Sequence, residues 1–408
     1  QFGAAFAHRF DLFSEDVPFM QSADLPMKPD KTPQFFAASL FNELSSGSNV
    51  THFNHGNQKD KKCCPKCCAG GLISLSAFAL PAGRGYSTSV VGVPPLFALP
   101  CGKSLFHALT ASTILPAYKP KTLSANFDNP CWDRSPIVEK AKLLTEIGYL
   151  QGLTFIPRRV RLHPVCHECT CTRCGQVSNI LVNSIAFESG EVIDDSFGFW
   201  QDPFVAYVVK KDKPVPIYIS AGKVLWRNYH TLFLRNPISD TNHLLRPSVL
   251  DQICDLELFD DMSDVEVFRC IGIRSDQASV DEWVESSLEV SNLLLILPDG
   301  GLRVEKAIGL AEECIKKLVK LFHDSFNQKP SGKSDLKRKR YLRSQNQMQK
   351  TFWASLAMPF HTFVLALGGA QDRDAELYRW VDVVRAKALE AFTNAAEQVG
   401  DDAVSLRQ

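Results

Sequence analysis

The stretch RRVRLHPVCHECTCTRCGQ, residues 158–176, joins an alternating run typical of a β-strand to a tight pair of cysteines. Residues 154–230 as a whole alternate with a period of two and are rich in β-branched and aromatic side chains, which predicts strands. Cys171 and Cys174 are separated by two residues and followed by Gly175. Two thiolates at this spacing can grip one Zn²⁺ from a tight turn, and the glycine relieves the strain of that turn. The region is therefore predicted to be a sheet that carries half of a metal site.

A second cysteine pair with the same spacing, Cys64 and Cys67, lies about one hundred residues upstream. Two such pairs make a tetrahedral site of four thiolates, which is structural because no coordination position stays open. One shared site would pin a loop to a distant β-region. The spacing also allows two separate sites or unligated thiols, and it leaves Cys166 and Cys169 as a rival second pair.

Length, charge and cysteine content limit the kinds of protein that this chain can be. A chain of 408 residues is too long for one ordinary core, so two or three domains are expected. The formal net charge is zero, so any contact with nucleic acid must be local. No run approaches the roughly 20 apolar residues of a membrane span, so no membrane partner is expected. The chain starts without a secretory signal and has thirteen cysteines, an odd number, of which eight lie in two clusters. These features indicate a reducing, cytoplasmic compartment.

The periodicity changes after about residue 300, and this change predicts the domain organisation. Before it, the pattern predicts a loop over 51–68, strands over 87–92 and 265–273, and a helix over 136–152. After it, apolar residues recur every three or four positions in long amphipathic helices. Another helix, over 340–366, is expected to be kinked at Pro359. The predicted fold class is α+β: a mixed α/β domain with a Cys₄ zinc site over 1–295, followed by a helical bundle over 296–408.

Signatures of common enzymes are missing from the sequence. It has no Gly-x-x-x-x-Gly-Lys phosphate loop, no His-Glu-x-x-His and no Gly-x-Gly-x-x-Gly. A zinc deaminase needs His-x-Glu, whereas His167 and Glu168 are adjacent. The sequence is therefore interpreted as that of a protein that is not an enzyme.

Several motifs together resemble the CasA family, the large subunit of Cascade, the type I-E CRISPR interference complex. They are His8-Arg-Phe-Asp-Leu-Phe13, Pro18-Phe-Met-Gln21, Asp128-Asn-Pro-Cys-Trp132, Glu146-Ile-Gly-Tyr-Leu-Gln-Gly-Leu-Thr-Phe155, Arg158-Arg-Val-Arg-Leu162, Cys171-x-x-Cys-Gly-Gln176 and Phe199-Trp-x-Asp-Pro203. The resemblance implies a prokaryotic DNA-binding subunit that recognises the protospacer-adjacent motif beside an invading target and helps to open that DNA. It implies CRISPR RNA, other Cascade subunits and a recruited helicase–nuclease as partners, alongside double-stranded target DNA.

The resemblance also implies roles for residues. In the family one zinc ion joins the two cysteine pairs, here Cys64, Cys67, Cys171 and Cys174. The DNA contacts would come from a loop that opens with Phe53, Asn54 and His55, a glycine-rich loop of Ala82, Gly83, Arg84 and Gly85, and a wedge of Asp276, Gln277 and Ala278. The family's minor-groove lysine has no counterpart around Ser189.

A basic cluster that includes Lys337, Arg338 and Arg340 opens one bundle helix. It is either a solvated helix end or a track for a nucleic-acid backbone. By comparison with the family, the chain is expected to be truncated at both ends and to lack the last helix of the bundle. The alternative function is a zinc-stabilised scaffold that binds protein or RNA without reading DNA. A zinc hydrolase comes third.

Overall fold

The structure is a computed structural model. It describes residues 6–27, 35–44, 58–81, 86–119, 128–211, 213–220, 222–235, 243–258, 265–276, 279–326 and 335–399. Within them, strands alternate with short helices up to about residue 296, and long helices follow. The protein therefore has the predicted α+β fold with a C-terminal helical region.

The strands are β1 (Phe35–Phe36), β2 (Phe97–Pro100), β3 (Lys142–Leu144), β4 (Arg158–Thr170), β5 (Val177–Ser189), β6 (Glu191–Ile193), β7 (Tyr207–Lys210), β8 (Lys213–Pro216), β9 (His243–Leu245), β10 (Val265–Asp276) and β11 (Ser279–Ser291). The α-helices are α1 (Pro65–Phe78), α2 (Leu105–Ser112), α3 (Tyr149–Leu153), α4 (Tyr229–Phe233), α5 (Ser248–Asp255), α6 (Asn292–Ile296), α7 (Gly300–Phe326), α8 (Asp335–Ser355), α9 (Ala357–Gly369) and α10 (Arg373–Val399). The strands form small sheets in the orders β1-β5-β4, β11-β10-β2, β3-β6 and β8-β7-β9.

Two long antiparallel hairpins dominate the sheets. In the first, β4 and β5 pair from Arg158 opposite Ser189 to Thr170 opposite Val177, and their connection is the cysteine turn. In the second, β10 and β11 pair from Val265 opposite Ser291 up to Asp276 opposite Ser279. Strands are present in the predicted regions as β4 to β8 and over 265–273. Residues 195–197 and 225–233 are helical instead, and the described residues of 198–206 and 217–224 belong to none of these strands.

Three predictions for the N-terminal region are wrong. The predicted loop over 51–68 ends early, because α1 begins at Pro65, and proline is favoured in the first turn of a helix. The predicted helix over 136–152 is replaced by β3 and α3, since β3 is captured by parallel pairing with β6. The predicted strand over 87–92 is a turn in which Gly92 has a φ of 87°. The Ser89 hydroxyl donates to the Gly92 carbonyl across that turn.

The bundle follows its apolar periodicity. Val304, Ile308, Ala311, Ile315 and Phe322 are buried along one face of α7, as predicted. The helix predicted over 340–366 is divided into α8 and α9 at Leu356. Pro359 explains the break, because its ring clashes with the carbonyl four residues earlier, at the end of α8. The described part of the bundle therefore has four helices where three were predicted.

Two large apolar cores and one small cluster, of Phe97, Val205 and Tyr207, form among the described residues. The larger contains residues of β10 and β11 together with α4 to α10, so it continues from the sheets into the bundle. The smaller packs Leu40, Phe41 and Leu72 against Val160, Val182 and other residues of the β4–β5 hairpin, around the buried cysteines. The division into domains at 295/296 stays a prediction.

One described helical stretch, Lys339–Gly369, is long and apolar enough to cross a membrane by length and composition alone. Its residues Phe352, Phe360 and Val364 are buried in the larger core. Core helices meet the same criterion, so the stretch is weak support for a membrane span.

Candidate metal centre and nucleic-acid interface

The turn between β4 and β5 presents Cys171 and Cys174. The Gly175 amide donates to the Cys171 carbonyl at 2.9 Å, and the Cys171 amide donates to the Gln176 carbonyl at 2.8 Å. Gly175 has a φ of 73°, a conformation that glycine adopts without steric cost. These bonds fold the backbone so that both cysteines point to the same side.

The other pair stands at the start of α1. Cys64 is the N-cap residue and Cys67 lies in the first turn of the helix. The preceding segment is tied to the hairpin by paired backbone bonds between Cys63 and Val182, at 2.9 and 2.8 Å. The Thr172 amide also donates to the Lys62 carbonyl at 2.8 Å. The polypeptide therefore brings the two pairs together with its own backbone bonds, although they are distant in sequence.

The four sulfurs form a compact cluster, with all Sγ atoms within 4.8 Å of one another. The Cys64 and Cys174 sulfurs are 3.8 Å apart, and those of Cys67 and Cys171 are 3.9 Å apart. Zn–S bonds of about 2.3 Å in a tetrahedron require sulfur–sulfur distances of about 3.8 Å. Cys64, Cys67 and Cys171 are buried, whereas Cys174 is exposed. The four cysteines could therefore hold one metal ion, with one edge of the site facing solvent.

Backbone amides favour a thiolate at Cys171. Burial alone would raise the pKa of its thiol, but the N–H groups of Cys174, Cys64 and Arg173 hold the pKa at about 6. The Cys64 amide, for example, lies 3.3 Å from the Cys171 sulfur. Burial, followed by hydrogen bonds with neighbouring thiols, raises the pKa of Cys67 to about 12. A cation bound by all four sulfurs would compensate the cost of charging Cys67.

The spare cysteines lie outside this cluster. All thirteen cysteines of the chain are free thiols. Cys166 and Cys169, the rival pair, lie on β4 beside a register shift, and they are exposed and half-buried. Cys63 and Cys68 are buried next to the cluster, where burial raises the pKa of Cys63 to about 12. They lie as neutral packing residues beside the four-sulfur cluster.

Most of the predicted DNA-contacting residues lie outside the described residues: Phe53, Asn54, His55, Ala82, Gly83, Arg84, Gly85, Gln277 and Ala278. Asp276 ends β10, so the wedge segment is the connection of the β10–β11 hairpin. Lys337, Arg338 and Arg340 lie in the first turns of α8, where Arg340 is exposed. Ser189 is fully buried, so its side chain has no access to DNA.

Arg158 was missed as a site residue. Its side chain is only 3% exposed. Its guanidinium donates to the carbonyls of Leu80, at 2.6 Å, and of Ser87, which lie on either side of segment 82–85. Burial lowers the pKa of Arg158 to about 10, so the group stays charged at neutral pH. A buried arginine thus joins the two stretches of chain that flank segment 82–85. The arginines that recur at the start of β4, Arg158, Arg159 and Arg161, were the available signal.

A second tie links the two predicted DNA-contacting segments. The ring of Phe78, at the end of α1, lies 5.5 Å from the ring of Trp283 on β11. Phe78 is four residues before Ala82. Trp283 is paired with Ile273, which is four residues before Gln277. The described residues that lead into the two segments are therefore in contact with each other.

Comparison with known proteins identifies the family. The family model described as CRISPR-associated protein Cse1 matches residues 3–391. This chain belongs to the Cse1 family. A curated relative, CRISPR-associated protein CasA/Cse1 of Thermus thermophilus, is 26% identical over 430 aligned positions, which cover 98% of this chain and 77% of the relative.

Solved Cse1 structures share the fold. The crystal structure of Thermus thermophilus CasA matches with a TM-score of 0.73 at 22% identity, covering 100% of this chain and 79% of that one. Cse1 from Acidimicrobium ferrooxidans gives 0.72 at 19% identity, with 98% and 78% covered. A chain of a CRISPR RNA-guided surveillance complex gives 0.60 at 17% identity, with 97% and 80% covered.

Proposed function

We propose that this Cse1-family chain is the non-catalytic DNA-binding subunit of Cascade, a cytoplasmic RNA-guided antiviral surveillance complex of prokaryotes. In that role it recognises the protospacer-adjacent motif, helps to open the target duplex and allows a helicase–nuclease to be recruited. The observation that carries the proposal is the family match across residues 3–391. The likeness to a chain of an RNA-guided surveillance complex supports assembly with CRISPR RNA and other subunits.

The metal is proposed to be zinc in a structural role. Four sulfur ligands at tetrahedral spacing suit Zn²⁺, and four protein ligands leave no open position for a reacting water. Cys64 and Cys67 would hold the start of α1, while Cys171 and Cys174 would hold the turn of the β4–β5 hairpin. Zinc would thereby fix the end of the loop that opens with Phe53, Asn54 and His55.

The DNA-reading surface is proposed to combine loop 82–85 with the connection of the β10–β11 hairpin. Arg158 joins the two stretches of chain that flank this loop, and the Phe78–Trp283 contact holds one of them beside the hairpin. Backbone amides of a glycine-rich loop can approach a minor groove closely because no Cβ intervenes. Readout there is degenerate, so tolerance of several motifs is expected. Gln277 would enter the duplex next to the motif and hold the first target pair open.

Target opening by the assembled complex tests this function. The assay compares the wild type, Gln277→Ala and the control Gln371→Ala, an exposed glutamine in the connection between α9 and α10. Permanganate reports unpaired thymines in duplexes with and without the motif. We expect Gln277→Ala alone to slow opening, because unstacking one step costs a few kcal/mol. A duplex that is already melted beside the motif should restore the rate.

The scaffold alternative predicts a different pattern. A chain that binds protein or RNA without reading DNA would give equal binding to duplexes with and without the motif. The Gln277→Ala complex would then open DNA at the wild-type rate. Either result would remove DNA readout from the proposed role, while the zinc content would stay as proposed.

A further inference from the structure

A cavity lies between the end of α1, strands β2 and β10, helix α3 and the 199–203 motif. Its volume of about 240 Å³ exceeds the roughly 150 Å³ of an apolar protein cavity that binds benzene. By this comparison it accommodates a ligand of about ten non-hydrogen atoms. The described residues of its wall are Ser76, Ala77, Phe78, Val90, Val91, Phe97, Leu99, Gly152, Leu153, Asp202, Phe204 and Ile271.

The wall is apolar and partly aromatic. Phe78, Phe97 and Phe204 contribute three rings, and those of Phe78 and Phe97 pack edge to face with centroids 5.3 Å apart. Among the described wall residues, only Ser76 and Asp202 have polar side chains, and neither is basic. Aromatic rings pack against apolar groups and attract cations through their quadrupole. The wall therefore suits a ligand with an apolar body and a positive charge.

Asp202 is the described wall residue that can carry a charge. Its Oδ1 accepts the Phe204 amide at 2.8 Å. No other described residue donates a hydrogen bond to its carboxylate or forms an ion pair with it, and Asp202 keeps part of its surface accessible. Burial raises the pKa of this carboxyl to about 7, so a large fraction is ionised at neutral pH. An unpaired carboxylate in apolar surroundings favours a cation that enters beside it.

We propose that this cavity binds a small organic amine, whose ammonium group pairs with Asp202 while its apolar body packs against the phenylalanine rings. Alkyl amines are protonated at neutral pH, as the lysine side chain is, so the ligand supplies the missing positive charge. A neutral ligand of the same shape would leave the carboxylate unpaired. The site depends neither on the metal centre nor on the proposed reading of a DNA motif.

Calorimetry on the zinc-loaded full chain tests the site at constant ionic strength. Phenethylamine is the cationic probe, phenethyl alcohol is its neutral counterpart, and ethylamine carries the charge without the ring. Asp202→Asn removes the charge while keeping an acceptor for the Phe204 amide. Ala77→Leu places a larger apolar side chain at the wall and suits the helix in which it lies. Asp382→Asn, on the exposed face of α10, is the matched control for the loss of one carboxylate.

At about pH 8 we expect saturable binding of phenethylamine, roughly tenfold or more tighter than that of phenethyl alcohol or ethylamine. Asp202→Asn should remove the preference for the amine and leave the alcohol bound as in the wild type. Ala77→Leu should weaken both aromatic ligands, and Asp382→Asn should change neither. Equal affinities of the wild type for the amine and the alcohol would overturn the proposal. Equal effects of Asp202→Asn and Asp382→Asn would also overturn it, because general charge would then explain the binding.

The wild type provides a second test, which does not depend on the folding of a variant. Binding of phenethylamine should weaken up to about tenfold from about pH 8 to about pH 6, as Asp202 takes up a proton. Tyr149 and Tyr207, the described titratable groups that interact with Asp202, stay neutral in this range, because burial raises the pKa of both. Binding of the alcohol should not change. Amine binding that is absent, or that is independent of pH, would remove Asp202 and its cavity as an amine site.

Discussion

At the scale of single residues, the four sulfurs of the metal centre make the sharpest prediction. Cys171→Ser should abolish stoichiometric zinc, because serine does not replace a thiolate as a soft ligand. Cys166→Ser is the matched control, since Cys166 lies outside the sulfur cluster. Metal analysis of the purified variants is the measurement. Zinc retained by Cys171→Ser and lost by Cys166→Ser would contradict the assignment and favour the rival pair.

Asp202 makes a prediction about pH. Burial raises the pKa of this carboxyl from 3.8 to about 7, while its Oδ1 accepts the Phe204 amide at 2.8 Å. A raised pKa means that the folded state binds the proton more tightly, so this contribution to stability is lost as pH rises from about 4 to 7. Asp202→Asn keeps the acceptor and removes the charge. The variant should therefore gain stability over the wild type as pH rises through this window.

The difference between the two unfolding curves isolates Asp202. His230 acts with the opposite sign, because burial lowers its pKa from 6.5 to about 4 and its contribution is lost as pH falls. The two slopes partly cancel in the wild type, whereas His230 is common to both proteins and drops out of the difference. Denaturant unfolding at several pH values between 4 and 7 provides the measurement. A difference independent of pH would contradict the prediction.

Only part of the candidate site could be predicted from the types and spacing of its residues. The Cys-x-x-Cys spacings were readable because metal chemistry fixes which ligands and turns are allowed. The role of Arg158 was not readable, because its acceptors are carbonyls at Leu80 and Ser87, which any residue type provides.

At the scale of elements, the basic start of α8 distinguishes a phosphate track from a solvated helix end. Reversal of Lys337, Arg338 and Arg340 to Glu should weaken binding to all DNA sequences alike and flatten the salt dependence. Reversal of the exposed Lys316, Lys317 and Lys320 on α7 changes the net charge equally and is the control. Binding is measured over a range of salt concentrations. A changed sequence preference with the wild-type salt slope would argue against a backbone track.

Arg158 gives the complementary prediction. Arg158→Lys keeps the charge but cannot bridge the Leu80 and Ser87 carbonyls with a planar fork, so loop 82–85 should lose its fixed base. The ratio of affinities for duplexes with and without the motif should fall, while the salt slope stays unchanged. Zinc content and melting temperature show whether the variant still folds. A preserved ratio in a folded variant would remove Arg158 from motif recognition.

Elements were predictable where one local pattern dominated. The apolar stripe of α7 predicted its buried face because its period is helical throughout. The run 136–152 also looked helical, but pairing of Lys142–Leu144 with Glu191–Ile193 overrode that preference. Pairing with a strand that is distant in sequence leaves no periodic pattern in the sequence. The turn at Gly92 also leaves no such pattern, because it depends on the positive φ of one residue.

At the scale of the whole molecule, the two large cores predict a local response to metal removal. The smaller core surrounds the cysteines, while the larger joins β10 and β11 to the bundle. Chelation of zinc should therefore speed amide exchange at Cys63, Cys171 and Val182 and leave α7 and α10 protected. Hydrogen exchange with mass spectrometry is the measurement. Equal deprotection of the bundle would mean that the metal supports the entire fold.

Helix α1 is held at both ends. Its first turn carries Cys64 and Cys67 of the candidate metal centre, and Arg158 binds the Leu80 carbonyl just beyond its last turn. A helix held at both ends transmits a displacement from one end to the other, whereas a helix released at one end can pivot about the other. Metal loss at the hairpin turn would thus be felt at the far end of α1, where segment 82–85 begins. Zinc occupancy would then affect how firmly the start of that segment is held in place.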